Sequence, residues 1–287
     1  MKKINVRKMV LLAIFSVTVF ACDKNEVQEE DISENVNSVT DEIYNTKSSG
    51  KLIDAVYLGR NVTLLEVENG KYLYDGDVLL ERNDFSIPGE ESNRGVYGGG
   101  NWPNRNVRWK YASGVSQDLK NKWTSAMNTW SSQLNFSFTQ ISGSSGDYIL
   151  VQQNSSGSAY STSIGRKGGQ QIISVDPRYY GSGNVVHEIG HAVGLIHEQK
   201  RPDRDNYIIV NYSNIRPNWT SQYDKCSSCT PNGTFDYSSI MLYGSRASSS
   251  VVYNTSIPAM TRKDGSIWNA QRSYLSTGDK AAINDKY

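Results

Sequence analysis

Residues 187–205 read HEIGHAVGLIHEQKRPDRD and hold every histidine of the 287-residue chain: His187, His191 and His197. The stretch leading into them, NVVHEIGHAVGL, has no proline, and Asn184 at its start is of a type that caps helices. Two imidazoles four residues apart on a helix share a face one turn apart, so both can reach one cation. Glu188 projects about 100° further round, where it can reach a metal-bound water without displacing it. Gly194 suits the left-handed residue that ends a helix, and the turn would bring His197 to the same cation from another side. Three neutral imidazoles leave a fourth position of zinc open, the arrangement of a catalytic and not of a structural site.

Around this stretch the composition is ordinary for a soluble protein. A formal net charge of +1 gives no reason to expect nucleic acid, which needs a basic patch. The chain begins as an export signal does: a basic MKKINVRK, then the apolar MVLLAIFSVTVFA, too short to span a bilayer. No later stretch is apolar enough for a transmembrane span. Val19 and Ala21 suit cleavage before Cys22, so residues 1–21 are expected to be a signal peptide and the protein to be secreted. VFAC also resembles a lipoprotein box, into which Phe20 fits poorly; the alternative is a lipid anchor at Cys22. The other two cysteines form CSSC. With no second CxxC to complete a zinc site and no flanking βαβ pattern, a local Cys226–Cys229 disulfide is expected in an exported protein.

Residues 23–50 are acidic and almost free of aromatic groups, a tether that buries little by itself. From Lys51 to Leu80, alternation suggests short strands turning at Asn69-Gly70. A Pro- and Gly-containing linker, 81–100, carries Arg94. Next, Val115, Leu119, Trp123, Met127, Trp130 and Leu134 recur every three or four residues, the signature of one buried helix face. NVRWKY before it, and FSFTQI, YILVQQ and QIISVD after it, read as strands, which argues for a mixed layer with the helix on one face of a sheet. Beyond Tyr207 periodicity fades until TGDKAAINDKY, read as a C-terminal helix capped by Thr277.

HExxH alone recurs by chance, but HExxHxxGxxH is far more restrictive and is the signature of the metzincin zinc peptidases. With Glu198 directly after the third histidine and the Arg-Pro-Asp-Arg-Asp run at 201–205, the chain resembles the astacin family of zinc endopeptidases, its bacterial members above all. SIMLYGS resembles the family's Met-turn, which implies Met241 beneath the metal and Tyr243 as a switchable ligand. SIGRKGGQQIISV resembles the edge strand, with its following loop, that holds substrate. The resemblance covers roughly 95–287. It implies an α+β, metzincin (zincin-like) fold: a twisted, mostly parallel sheet with two long helices above an irregular C-terminal subdomain, and a cleft between them. Leu242 departs from the histidine common in the Met-turn. The two disulfides of animal astacins cannot form here, so the core or calcium must supply their stabilisation. No accessory domain is expected after Tyr287.

The resemblance further implies one Zn2+ held by His187, His191 and His197, with Glu188 as the acid/base group and Tyr243 as a donor to the developing oxyanion. Protein or peptide substrates are expected, with the chain's own pro-segment, 22–94, as inhibitor and 95–287 as catalytic domain. In astacins a pro-segment aspartate within F-x-G-D can fill the open zinc position, and YDGD at 74–77 resembles it, with Asp77 as ligand. Cys22 is the rival, because a thiolate is the softer and tighter zinc ligand. Maturation near Arg94 would leave Gly95 as a new terminus directed towards Glu198. The functional alternative is a catalytically inactive zinc-stabilised module that binds peptide or carbohydrate.

Overall fold

The computed structural model describes Tyr44 and residues 50–67, 70–89 and 99–287. The expected signal, Cys22, Asn69 and the expected cleavage point at Arg94 lie outside these residues. Strands β1 (Leu52–Tyr57), β2 (Arg60–Val67), β3 (Lys71–Tyr74) and β4 (Val78–Glu81) form an antiparallel meander. β5 (Asn106–Tyr111), β6 (Ser137–Gln140), β7 (Tyr148–Gln153), β8 (Ala159–Ser161) and β9 (Gln170–Val175) complete a nine-stranded sheet of order β1-β2-β3-β4-β8-β9-β7-β5-β6. Within the second group only β8 runs antiparallel to its neighbour β9, so this half is mostly parallel, as the family resemblance implies. The meander makes the other half antiparallel. It joins through one register pair, Val78 with Ser161, and the hydrogen bond from Ser161 N–H to the Asp77 carbonyl, 3.0 Å.

The edge strand of the mostly parallel half lies upstream of its expected place. SIGRKGGQQIISV forms a loop and then β9, an interior strand, whereas the edge is β8 at 159–161. Three residues are too few for alternation to be visible in a sequence.

Helix α1 (Gln117–Leu134) starts where Ser116 accepts a hydrogen bond from Leu119 N–H, and ends where Asn135 takes a left-handed φ of 55°. Leu119, Trp123, Ala126, Trp130 and Leu134 are buried along it. Each such large apolar side chain contributes on the order of 2–3 kcal/mol on leaving water. The same face positions α2 (Ser182–Val193). Trp130 Nε1 donates to the Val186 carbonyl, 3.1 Å, and Trp102 Nε1 to the Ala192 carbonyl, 2.9 Å. Both indole N–H groups are thereby satisfied inside the core, one holding the histidine helix near its middle and the other near its C-terminal end.

Two helix starts differ from the expected ones. In α2 the N-cap is Gly181, and Asn184, three residues in, reaches back to accept the Gly181 N–H at 2.9 Å. In α3 (Thr277–Lys286) the cap is Ser276, not Thr277. Neighbouring residues of the same capping chemistry differ only in backbone angle, which their identity does not reveal. From 198 to 276 the chain is mostly loop, with β10 (Ile208–Val210) paired to β11 (Met260–Arg262) and a 3-10 turn at Pro217–Tyr223. Its aromatic and aliphatic groups gather in a second core cluster that includes Trp219, Tyr223, Leu242 and Trp268.

Candidate metal centre

His187 and His191 lie on one face of α2, both fully buried, with ring centroids 4.9 Å apart. Gly194 ends the helix with φ of 112°, its N–H bonding back to Gly190 and His191. That angle favours glycine, and a Cβ there would also push the Lys286 side chain aside, its Cε being 2.2 Å away. The turn returns His197 to ring distances of 5.1 Å from His187 and 4.8 Å from His191.

The hydrogen bonds behind the rings of His187 and His191 set which ring nitrogen faces inward. His187 Nδ1 donates to the Ile240 carbonyl at 2.7 Å, and His191 Nδ1 to the Leu195 carbonyl at 2.9 Å. Each therefore turns an Nε2 lone pair inward, the outer-shell arrangement of metal-ligating histidines. His197 Nε2 approaches His187 Nε2 to 3.3 Å.

Into this group comes Asp77, at the tip of the β3–β4 turn. One carboxylate oxygen lies 3.1 Å from His191 Nε2, and the other 3.1 Å from His187 Nε2 and 3.2 Å from His197 Nε2. One ligand atom from each of the four residues lies within 4.8 Å of the others, and all four residues are buried. Burial would raise the Asp77 carboxyl, but His197 and His191 hold it well below the usual carboxylate range. For His197, burial opposes the charge, yet Asp75 and Asp77 push the imidazole up to about 10. Two imidazole lone pairs facing a carboxylate at 3.1 Å repel unless positive charge sits among them. Nitrogen and oxygen donors of this kind suit zinc, so the centre can bind one Zn2+.

Beneath the histidines runs the turn Ser239–Tyr243. Asp279 holds it from α3, accepting from Ser239 Oγ at 2.6 Å and Ile240 N–H at 2.9 Å. Gly190 lets Met241 approach the helix: a Cβ there would lie 2.8 Å from Met241 Sδ. The Gln199 side chain accepts the Tyr243 N–H at 3.2 Å, and Trp268 Nε1 donates to the Tyr243 carbonyl at 2.7 Å. The Tyr243 ring lies 4.2 Å from that of His197, and its hydroxyl donates to the Asp75 carbonyl at 2.7 Å. Asp279, Gln199 and Gly190 escape sequence reasoning. Only Gly190, a glycine inside a helix, carries a visible signal.

Asp75 escapes it too, although it shares YDGD with Asp77. It is fully buried; one oxygen accepts the His197 N–H at 3.1 Å and the other stands 2.9 Å from His197 Nδ1. Asp75 and Gly76 take φ of 58° and 83°, the pair of positive angles favoured in tight hairpin turns. A Cβ on Gly76 would fall 2.1 Å from the Tyr243 hydroxyl. Gly76→Ala is therefore expected to destabilise the full-length protein by about 1–3 kcal/mol, the range for overpacking. Calorimetry of the two proteins checks this; an unchanged melting temperature would contradict the close approach.

The segment after His197 is tied down by its arginines. Arg201 pairs with Asp203 and donates to the carbonyls of Asn232 and Gly233, while Arg204 donates to those of Gln199 and Tyr223. Glu198 accepts the Asp236 N–H at 2.8 Å. Burial pushes its carboxyl up to about 7, against the pull of that N–H and of Arg201. Cys226 and Cys229 form a disulfide, and Cys226 N–H donates to the Lys200 carbonyl at 2.7 Å.

A helix carrying HExxH, a glycine exit to a third histidine, and a methionine–tyrosine turn below them define a metzincin-type zinc peptidase centre. Residues 97–287 match the model of the peptidase family described as Astacin. The chain belongs to the astacin family. It is 31% identical to flavastacin of Elizabethkingia meningoseptica over 195 residues, which cover 65% of this chain and 42% of flavastacin. To zinc metalloproteinase nas-4 of Caenorhabditis elegans it is 31% identical over 224 residues, 74% of this chain and 68% of that protein. Among solved structures, high choriolytic enzyme 1, a hatching enzyme zinc-protease from Oryzias latipes, superposes with a TM-score of 0.57 at 30% identity. That match covers 64% of this chain and 90% of the other. The chain thus spans less than half the length of flavastacin.

Proposed function

We propose that this chain is a secreted zinc endopeptidase made as a latent precursor, with 1–21 as signal, 22–94 as inhibitory segment and 95–287 as catalytic domain. The observation that carries the reading is the Asp77 carboxylate, within 3.2 Å of all three histidine Nε2 atoms. A zinc ion bound by His187, His191 and His197 supplies Lewis acidity for hydrolysis of a peptide bond. Glu188 takes a proton from the attacking water and returns it to the leaving amine. Tyr243, whose hydroxyl is engaged by the Asp75 carbonyl in the precursor, is released with the segment and donates to the oxygen of the scissile carbonyl. β8 loses β4 and takes an extended substrate as its new neighbour.

Cleavage near Arg94 creates an amine for which the partly buried Glu198 is the charge partner, directly or through water. Cys22 takes no part in latency on this reading. An acylated Cys22 would change the location, secreted against lipid-anchored, and leave the chemistry intact. No helix among the described residues is long and apolar enough to cross a membrane.

The processed protein is expected to digest casein, to lose that activity to a zinc chelator and to regain it with Zn2+. A folded, zinc-loaded protein that cleaves nothing would instead be a binding module.

A further inference from the structure

The turn that carries Tyr243 is gripped from residues 262–272, a segment that contributes none of the converging ligand atoms. Trp268 is buried there. Its Nε1 donates to the Tyr243 carbonyl at 2.7 Å, its N–H donates to Ser245 Oγ at 3.0 Å, and its carbonyl accepts the Ser245 N–H at 3.0 Å. The indole packs edge-on with the Tyr237 ring, centroids 5.6 Å apart, and the Arg262 guanidinium lies 5.6 Å from its ring. Arg262 is itself tied by donation to the Ile267 carbonyl at 2.7 Å. On the other side of Tyr243, Gln199 accepts its N–H at 3.2 Å, and Arg272 donates to the preceding carbonyl, that of Leu242, at 3.2 Å. Side chains thus fix the peptide groups on both sides of the Tyr243 Cα.

A tyrosine that leaves the Asp75 carbonyl to meet a scissile carbonyl moves its hydroxyl by turning about its own side-chain bonds. Where the hydroxyl arrives is then set by where the Cα stands. A misplacement of about 1 Å can cost a reaction roughly 100-fold, so a backbone that drifted with the ring would forfeit the gain from the donor. Tyr243 is fully buried, and a buried carbonyl deprived of its donor shifts to find another. We infer that Trp268 is a positioning residue for the reaction: its indole N–H holds the Tyr243 backbone still while the ring turns, so that the hydroxyl reaches the developing oxyanion. The inference rests on the peptidase reading and deepens it through Tyr243.

The test uses enzyme processed from the full-length precursor. Trp268→Phe would open a cavity in the second core cluster, so the decisive change replaces Trp268 with benzothienylalanine, which keeps the bicyclic shape and puts sulfur in place of the N–H. On a fluorogenic peptide kcat is expected to fall about 10- to 100-fold, with KM and zinc content close to those of the wild type. In a Tyr243→Phe background the same replacement should cost nothing further, because no hydroxyl remains to be placed. A merely structural tryptophan would cost the same factor in both backgrounds. Ser245→Ala, which keeps the indole and removes the acceptor of the Trp268 N–H, should give the same pattern with a smaller loss. An unchanged kcat in the benzothienylalanine protein, an equal loss in both backgrounds, or zinc lost in step with activity would overturn the inference and leave the peptidase reading standing. Full activity in Tyr243→Phe would overturn it by removing the oxyanion role. No hydrolysis of any peptide by zinc-loaded wild type would overturn both.

Discussion

The Glu188→Ala protein is expected to retain its zinc and to lose peptide hydrolysis by about 10²- to 10⁴-fold, the usual contribution of a general acid/base group. The separation of the two effects follows from position. Glu188 is buried on α2 between the two helical histidines, yet the four ligand atoms that converge come from His187, His191, His197 and Asp77. Removing its carboxylate takes away a proton carrier and leaves the nitrogen ligands with their bonds to Ile240 and Leu195. Zinc stoichiometry and casein hydrolysis measured on the same processed sample decide it. A variant of wild-type activity would sink the assignment, and equal loss of metal and activity would recast Glu188 as structural.

The second large effect concerns the uncleaved chain. With processing blocked by Arg94→Gln, the precursor is expected to be silent, and the further change Asp77→Asn should raise its activity at least ~10-fold. The amide keeps the shape but loses the charge that faces three Nε2 atoms. Activity should stay below that of the processed enzyme, because Asp75 still contacts His197 and β4 still pairs with β8. Cys22→Ser in the same background should remain silent. Zinc-edge spectroscopy gives an independent reading: only oxygen and nitrogen neighbours are expected. A sulfur at about 2.3 Å, or a silent Asp77→Asn beside an active Cys22→Ser, would move the switch to Cys22.

The parts of this site that could be read in the sequence are those whose geometry is local. His187, His191, Gly194 and His197 fall within one helix and its exit, so spacing alone fixes their relative positions. The α1 face is legible for the same reason. Asp75 is not: it is 122 residues from His197, and two left-handed residues at a hairpin tip aim it. Asp279 likewise acts from the C-terminal helix on a turn 40 residues earlier. Such contacts depend on how distant elements dock, and a carboxylate in a turn looks the same in sequence whether it faces water or an imidazole. β8 was hidden by brevity, and the starts of α2 and α3 by neighbouring residues of equivalent capping chemistry.

The shortness of β8 also bears on what the proposed removal of residues 22–94 would leave. Removal of the meander would strip four strands from a nine-stranded sheet and open an edge, and an open edge is a template for pairing with other chains and for aggregation. The edge left here is three residues long. A substrate peptide can lie along it when side-chain pockets add to its backbone bonds, whereas another copy of the protein would gain few ladder bonds from the same contact. The released enzyme would thus stay monodisperse at concentrations where a longer exposed strand would draw it into fibres.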